Sequence, residues 1–250
     1  MTAGVAKALV VVPTYEEADS IREVIERLFE ATGDSVALLV VDDGSPDGTA
    51  EIVEEVAASS PHEIEVLRRA TKSGLGSAYV AGFGWGLQRG YRALVEMDAD
   101  LSHDPAVVPR LLTALNDADL AIGSRYVPGG SVENWGAFRR ALSRFGNLYA
   151  RTLLGYPVRD STAGFRAFRA EWLADQDLET VSSHGYAFQI EMTRRMHRSG
   201  GRIVEIPITF VERVSGRSKM SRRIVVEALI EVTGWAFKDR FARSRRSEAS

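Results

Sequence analysis

Short apolar runs alternate along the first half of the chain with segments whose apolar residues recur every three or four positions. The runs predict buried strands, because a strand covered on both faces is apolar throughout. The segments with helical spacing predict amphipathic helices. The expected strands are residues 8–12, 36–41, 64–67, 93–97 and 120–123, and the expected helices are residues 19–31, 49–58, 78–89 and 105–115.

Strands that alternate with helices predict an α/β fold, with a Rossmann-like, mostly parallel sheet and helices on both faces. Ligands bind such a sheet beyond the carboxyl ends of its strands. The third helix contains Gly82, Gly84 and Gly86. Their spacing does not match the dinucleotide-binding fingerprint, so we interpret them as sites of close packing.

The alternation changes after Arg125. A turn at Pro128-Gly129-Gly130 precedes an arginine-rich helical segment at residues 138–154. A further helix at 186–199, a strand at 203–206 and a polar loop at 213–220 follow. The simplest division is one domain over residues 1–221 and a C-terminal amphipathic helix with a basic tail over residues 222–250.

Composition limits the classes of function. The 250 residues are 45% hydrophobic, which is enough for a full core, and the net charge of −3 gives no general attraction for nucleic acid. Without cysteine, disulfides, thiolate metal sites and thiol catalysis are excluded. The N-terminus has no secretory pattern, and no apolar run reaches the ~18 residues that span a bilayer. We therefore expect a cytoplasmic protein that meets a membrane only from the side.

Two strand ends are acidic. Asp98 and Asp100 follow one apolar run, and Asp42 and Asp43 follow another. Residues i and i+2 of an extended chain point to the same side, so Asp98 and Asp100 can converge on one cation of the Mg²⁺ type. A single Asp-x-Asp is equally compatible with a loop of two solvated acids. The second acidic strand end favours a site, because two such ends can face one crevice.

Several motifs together resemble a known family. The N-terminal motifs Val12-Pro13-Thr14-Tyr15-Glu16-Glu17, Asp42-Asp43-Gly44-Ser45, Met97-Asp98-Ala99-Asp100 and Gly123-Ser124-Arg125-Tyr126 resemble the inverting nucleotide-sugar glycosyltransferases of family 2, which have the GT-A fold. The closer resemblance is to polyprenol (dolichol) phosphate mannose synthases. It rests on Lys72-Ser73-Gly74-Leu75-Gly76, Asp160-Ser161-Thr162-Ala163-Gly164-Phe165-Arg166, Gly185-Tyr186-Ala187-Phe188-Gln189 and Ser218-Lys219-Met220.

The resemblance implies a donor site for GDP-mannose. It implies guanosine contacts at Pro13, Tyr15, Glu17, Val41 and Asp43, ribose and diphosphate contacts at Asp98, Ala99 and Asp100, and a loop closing over the diphosphate with Arg213 and Lys219. It also implies Mg²⁺ or Mn²⁺ bound by Asp98, Asp100 and Ser102. Some relatives have glutamine at the position of Ser102. Arg213 is equally compatible with a solvated strand end.

For the acceptor, the resemblance implies a polyprenyl monophosphate bound by Arg125, Arg139 and Ser143, with Asp100 and Arg125 as the catalytic residues. A phosphate monoester carries about −1.5 to −2 charges at neutral pH, so the reaction needs positioning and charge neutralisation rather than a base. Two other functions stay open. One is glucosyl transfer from UDP-glucose to the same lipid, and the other is a non-catalytic nucleotide-binding module that scaffolds a membrane partner.

The C-terminal segment departs from family members that append transmembrane helices. An apolar stripe from Ile224 to Trp235 is followed by a basic tail from Lys238 to Arg246. The stripe can pack on the core, or it can lie on an anionic membrane surface with the basic residues against lipid headgroups. The expected partners therefore include a membrane surface and a separate membrane-anchoring protein.

Overall fold

The computed structural model of the protein describes residues 8–181, 183, 185–212 and 222–247, with the side chains of the last segment described from 227 to 240. Its strands are β1 (Ala8–Thr14), β2 (Val36–Asp42), β3 (Ile64–Arg68), β4 (Ala93–Glu96), β5 (Leu120–Ser124), β6 (Ser131–Glu133), β7 (Arg166–Arg169), β8 (Ile203–Pro207) and β9 (Thr209–Val211). Seven of them form a central sheet in the order β3-β2-β1-β4-β7-β5-β8, and β6 pairs with β9.

The helices are α1 (Ile21–Thr32), α2 (Thr49–Ser59), α3 (Leu75–Gln88), α4 (Val108–Ala114), α5 (Ala137–Leu154), α6 (Ala170–Ala174), α7 (Tyr186–Arg198) and α8 (Arg222–Ser247). Alternate residues of the strands point to opposite faces, which gives two cores. Leu9 and Val11 of β1 pack in one core with α3 and α7. Val10 and Val12 pack in the other with α1 and α4. The predicted mostly parallel sheet with helices on both faces is confirmed.

Three short strands differ from the expectation. β7 runs antiparallel between β4 and β5, and β6 and β9 form the separate pair. β7 is only four residues long and carries Arg166 and Arg169, so it has neither an apolar run nor an alternation to reveal it. Its position depends on pairing with strands on both sides, which the local sequence does not encode.

Close packing explains two of the three glycines in α3. A Cβ on Gly82 would lie 2.4 Å from Cγ1 of Val11, and one on Gly86 would lie 2.6 Å from Cδ2 of Leu94. Nothing lies within 4 Å of a Cβ on Gly84. The interpretation is confirmed for Gly82 and Gly86 and wrong for Gly84. Without side chains at these two positions, α3 approaches the sheet closely beside the acidic strand ends.

Helix α8 packs against the rest of the protein along one side. Val232 and Ala236 are buried in the core, and the hydroxyls of Tyr149 and Thr233 share a hydrogen bond of 2.7 Å. Asp239 forms ion pairs with Arg194 and Arg198 of α7. Among the described residues, no helix is long and apolar enough to cross a membrane. The helix therefore takes the core-packing arrangement on this side, while the boundary after residue 221 stays a prediction.

Candidate functional site

The turn after β4 carries the predicted metal-binding acids at the carboxyl edge of the sheet. Its geometry is fixed by His103, which is buried and stacked on Phe165 with ring centroids 4.9 Å apart. The backbone N–H of Asp98 donates to Nδ1 of His103 over 3.2 Å, and Nε2 of His103 lies 3.8 Å from Oδ2 of Asp98. His103 therefore orients this turn.

Asp100 is held two residues further on. Leu101 takes a positive φ of 61°, and the N–H of Ser102 donates to Oδ1 of Asp100 over 3.1 Å. The hydroxyl of Ser102 is buried and makes no hydrogen bond to the described residues. Two carboxylates and a hydroxyl suit a hard divalent cation that also takes oxygens from a substrate. Within the described ranges, no three His, Cys, Asp or Glu side chains form a closed metal site.

A buried polar network lies under the acidic turn. Glu96 is fully buried, and its Oε2 accepts a 2.7 Å hydrogen bond from Nε2 of Gln189 on α7. Burial raises the pKa of Glu96 to about 8, against the opposing charge of Arg166. Tyr79 donates over 3.5 Å to Oδ1 of Asp98 from the same interior. The strand that presents the acids is therefore tied to α3 and α7.

At the second acidic strand end, Asp43 is bound to the loop that follows β3. Asp43 forms an ion pair with Arg69, with Nη1 and Oδ1 2.9 Å apart, and accepts from the N–H of Ser73 over 3.2 Å. The Lys72 ammonium lies 3.5 Å from the ring centroid of Tyr15. The loop after β3 is thus fastened over the ends of β1 and β2, where the sequence predicts nucleoside contacts.

The other predicted donor residues border the same edge. Pro13 and Glu17 are half-buried, and the N–H of Glu17 donates to the hydroxyl of Thr49 over 3.0 Å. The side chains of Val41 and Ala99 are buried in the two cores. Any contact of Val41 or Ala99 with a nucleotide must therefore come from the backbone.

Arg125 is buried and bound to Asp160. Nε and Nη2 each donate to one carboxylate oxygen of Asp160 over 2.7 Å, and Nη2 also donates to the Thr162 hydroxyl over 2.9 Å. Burial on its own would raise the pKa of Asp160, but the charge and hydrogen bonds of Arg125 outweigh it and hold the pKa below its usual value. Most of the Arg125 fork is therefore committed within the protein, and its direct contact with an acceptor phosphate stays a prediction.

Arg139 and Ser143 lie on α5 near Arg125. Nη1 of Arg139 forms an ion pair with Glu212, and its guanidinium lies 4.1 Å from the ring centroid of Trp135. The hydroxyl of Ser143 accepts a 2.7 Å hydrogen bond from that of Tyr126. The structure places these predicted acceptor residues in one region, each with a protein partner.

An apolar cleft opens from this region. It runs between α5, α7 and α8, with Arg125, Ser143 and Thr162 among its polar lining. The remaining lining is Trp135, Leu142, Gly146, Tyr149, Tyr186, Ile190, Ala228, Leu229 and Val232. A charged end beside an apolar channel suits an amphiphile with an anionic head.

Some functional residues escaped the sequence reading, and some lie beyond the structure. Asp160 and Thr162 were seen only as part of a motif, and Trp135 and Glu212 gave no local signal. Asp160 and Glu212 meet their arginines across long stretches of chain, since Glu212 lies 73 positions after Arg139. Trp135 lies only four positions before Arg139, but a single tryptophan does not show which side chain will stack on it. Arg213 and Lys219 lie outside the described residues, so their expected closure over a donor stays a prediction.

Residues 9–176 match the family model described as Glycosyl transferase family 2. An undecaprenyl-phosphate mannosyltransferase of Micrococcus luteus is 52% identical over 94% of this chain and 96% of that protein. A polyprenol monophosphomannose synthase of Mycolicibacterium smegmatis is 50% identical over 96% of this chain and 90% of that protein. A dolichol-phosphate mannosyltransferase of Pyrococcus furiosus is 37% identical over 89% of this chain and 62% of that protein.

Solved structures support the fold. Glucosyl-3-phosphoglycerate synthase of Mycobacterium tuberculosis, in complex with phosphoglyceric acid, has a TM-score of 0.67 at 20% identity and covers 92% of this chain and 81% of its own. The same enzyme in complex with Mn²⁺, UDP and glucosyl-3-phosphoglycerate has a TM-score of 0.65. At this identity the likeness concerns the fold, which confirms the expected GT-A architecture. Together with the family match, it shows that the chain belongs to glycosyl transferase family 2.

Proposed function

We propose that this protein transfers mannose from GDP-mannose to a polyprenyl monophosphate, with inversion at the sugar carbon, giving polyprenyl phosphate β-mannose and GDP. The observation that carries the proposal is the apolar cleft that begins at Arg125 and Ser143 and is also lined by Thr162. Two residues after Thr162, a Cβ on Gly164 would lie 3.8 Å from the carboxylate oxygens of Asp98, which connects this end of the cleft to the acidic turn. A nucleotide sugar is polar and gains little from an apolar cleft, whereas a prenyl chain can bury its apolar surface there. The relatives at 50% and 52% identity are a polyprenol monophosphomannose synthase and an undecaprenyl-phosphate mannosyltransferase, which supports this acceptor class.

The residues at one end of the proposed site bind the acceptor phosphate, and those at the other end bind the donor. The acceptor phosphate is itself the nucleophile, so the protein has to orient it and neutralise its charge through Arg139, Ser143 and the part of Arg125 that lines the cleft. Asp98 and Asp100 would hold a divalent cation, Mg²⁺ or Mn²⁺, and this cation would supply positive charge to the diphosphate of the leaving nucleotide. Attack in line with the leaving diphosphate inverts the configuration. Arg213 and Lys219 complete the donor side in this proposal.

The base of the donor has to be identified by experiment, because a carboxylate such as Asp43 can accept N–H groups from guanine or from uracil. Titration calorimetry of GDP and UDP in the presence of Mg²⁺ separates the two donors. The proposal expects GDP to bind at least about tenfold more tightly, which corresponds to 1.4 kcal/mol. Tighter binding of UDP would replace GDP-mannose by UDP-glucose, and binding of neither nucleotide would contradict both donors. Nucleotide binding without any sugar transfer would favour the non-catalytic nucleotide-binding module.

We place the protein on the cytoplasmic face of a membrane, attached from the side. Five large apolar side chains are exposed on two adjoining helices: Phe138 (82%), Phe145 (55%) and Leu148 (52%) on α5, and Ile230 (66%) and Phe237 (58%) on α8. Exposed arginine and lysine side chains flank them on the same helices, at Arg140, Arg144, Lys238 and Arg240. Such a combination fits an anionic lipid surface. It also puts the cleft beside the phase that holds its acceptor.

Co-sedimentation with vesicles tests this placement. Vesicles that contain phosphatidylglycerol should retain the protein, and the double change Phe145→Ser and Leu148→Ser should weaken that binding about tenfold or more, since each exposed side chain loses its burial in lipid. Phosphatidylcholine vesicles are the control for charge. Equal binding of both forms to phosphatidylglycerol vesicles would remove α5 from the attachment. Binding of neither form to these vesicles would mean that a separate membrane-anchoring protein is required.

A further inference from the structure

The ion pair between Arg139 and Glu212 sets a carboxylate of the protein against a residue proposed to bind the acceptor phosphate. Nη1 of Arg139 contacts Oε1 of Glu212, and the two side chains are 22% and 32% exposed. A guanidinium binds carboxylates and phosphates through the same planar donors. An acceptor phosphate that reaches Arg139 therefore meets a donor that is already bound to an anion.

Both partners of this pair are held in place. The Arg139 guanidinium lies 4.1 Å from the ring centroid of Trp135, which is 6% exposed. Glu212 directly follows β9, and its N–H donates to the carbonyl of Glu133 on β6 over 3.4 Å. Two ordered elements thus present the charges to each other, unlike a chance contact between two mobile surface side chains.

We propose that Glu212 keeps weakly binding anions off the acceptor site by occupying Arg139 until an acceptor phosphate displaces it. A phosphate monoester carries about −1.5 to −2 charges at pH 7, so it competes well with a carboxylate of charge −1. The phosphodiester group of an ordinary phospholipid carries a single charge and competes poorly. At a membrane surface, where such headgroups surround the site, this competition leaves Arg139 closed to the weakly binding diesters while the tightly binding monoester still displaces Glu212. The proposal rests on the function proposed for Arg139 above.

The test is the change Glu212→Gln, measured with polyprenyl phosphate as acceptor and diethyl phosphate as a soluble phosphodiester inhibitor. We expect the acceptor KM to fall about threefold to tenfold and diethyl phosphate to inhibit more strongly by at least the same factor, with an unchanged KM for GDP-mannose. Glu133→Gln is the matched control. Glu133 is exposed on the neighbouring strand β6, and its change removes the same charge without freeing Arg139.

Arg139→Ala separates this proposal from the one on which it rests. If Glu212 acts through Arg139, the double variant Arg139→Ala, Glu212→Gln has the same acceptor KM as Arg139→Ala alone. A Glu212→Gln variant whose acceptor KM rises or stays constant, while Arg139→Ala raises it, overturns the role of Glu212 alone. An acceptor KM that Arg139→Ala does not change overturns the acceptor site as well. If Glu212→Gln does not fold, Glu212→Asp, which withdraws the carboxylate by one methylene, is expected to lower the acceptor KM in the same direction, and no fall contradicts the proposal.

Discussion

The two halves of the site are built differently. The proposed donor half lies at the carboxyl ends of β1, β2 and β4, which are parallel neighbours. The acids of its turn are set by local contacts such as the 3.1 Å hydrogen bond from the N–H of Ser102 to Oδ1 of Asp100. The proposed acceptor half is assembled from α5, α7, α8 and the β6–β9 pair. Its arginines are held by partners 35 and 73 residues away, at Asp160 and Glu212.

The position of the donor half is therefore set mainly by the sheet, and that of the acceptor half by ion pairs between residues far apart in the chain. A parallel sheet presents its strand ends at one edge whatever the loops contain, so the donor half needs few special contacts. The acceptor half has no such frame, and ion pairs together with the packing of α8 fix its shape. We therefore expect changes in the donor half to affect chemistry first, and changes in the acceptor half to affect acceptor affinity and stability.

The largest effect on activity is expected from Asp100→Ala. Loss of this carboxylate leaves the departing diphosphate without part of its charge compensation, so transfer should fall more than about a hundredfold while the fold and the acceptor affinity persist. Turnover and thermal unfolding measured together check this. Asp117→Ala, at an exposed carboxylate away from the site, is the control. A folded Asp100→Ala variant with nearly normal turnover would refute the metal assignment.

The largest effect on stability is expected from Asp160→Asn. This change leaves the buried Arg125 charge uncompensated, which should lower the free energy of unfolding by about 3–5 kcal/mol. Because the pKa of Asp160 is lowered on folding, the wild-type stabilisation is present above the unfolded pKa of about 3.9 and is lost as the pH falls through the folded pKa. Urea denaturation at pH 7 and at pH 3 measures both. A variant as stable as the wild type at pH 7 would contradict the role of this pair.

Arg139→Ala should separate the halves most clearly. A lost charge-assisted hydrogen bond of about 1.5–3 kcal/mol raises the acceptor KM roughly tenfold to a hundredfold. The KM for GDP-mannose should change by less than about twofold. Steady-state kinetics with each substrate varied in turn gives both values. Equal increases in the two constants would show that the site is not divided as described.

Glu96 is buried under the acidic turn, where it accepts a hydrogen bond from Gln189 of α7. The change Glu96→Gln should alter the pH dependence of the free energy of unfolding. The folded pKa is raised to about 8, so between pH 5 and pH 8 the unfolded state releases a proton that the folded state keeps. Through this group the wild type loses about 1.4 kcal/mol of stability per pH unit as the pH rises over that range. Denaturation curves at pH 6 and pH 7.5 should show a smaller loss in the variant. Parallel losses would mean that Glu96 does not titrate there.

The smallest effect is expected from Asp239→Ala, which releases the arginines of α7 from α8. These pairs are only partly buried, so the change should cost about 0.5–1 kcal/mol of stability. Because α8 lines the cleft, the acceptor KM should rise slightly and the donor KM should not change. Glu55→Ala, which breaks the exposed pair with Arg22, is the control. An acceptor KM that falls in Asp239→Ala would mean that α8 obstructs the cleft.

More of the donor half than of the acceptor half can be predicted from the sequence. The positions of β1, β2 and β5 follow from the sequence because each is a run of mostly buried apolar residues. The acids at the ends of β2 and β4 are then expected at the carboxyl edge of the sheet. β7 was missed because Arg166, buried at its start, breaks the pattern while its guanidinium bonds the carbonyls of Ser161 and Gln189. The partners of Arg125 and Arg139 were missed because charge pairing across 35 or 73 residues has no local period.

The proposed transfer can be followed with a labelled donor. Purified protein is incubated with GDP-[¹⁴C]mannose, Mg²⁺ and a polyprenyl phosphate in phosphatidylglycerol vesicles, and the label is followed into the organic phase. We expect lipid-linked mannose in the β configuration, formed only when metal, donor and lipid phosphate are all present. Label that stays in the aqueous phase under these conditions, with a folded protein that binds GDP, would contradict the proposed transfer.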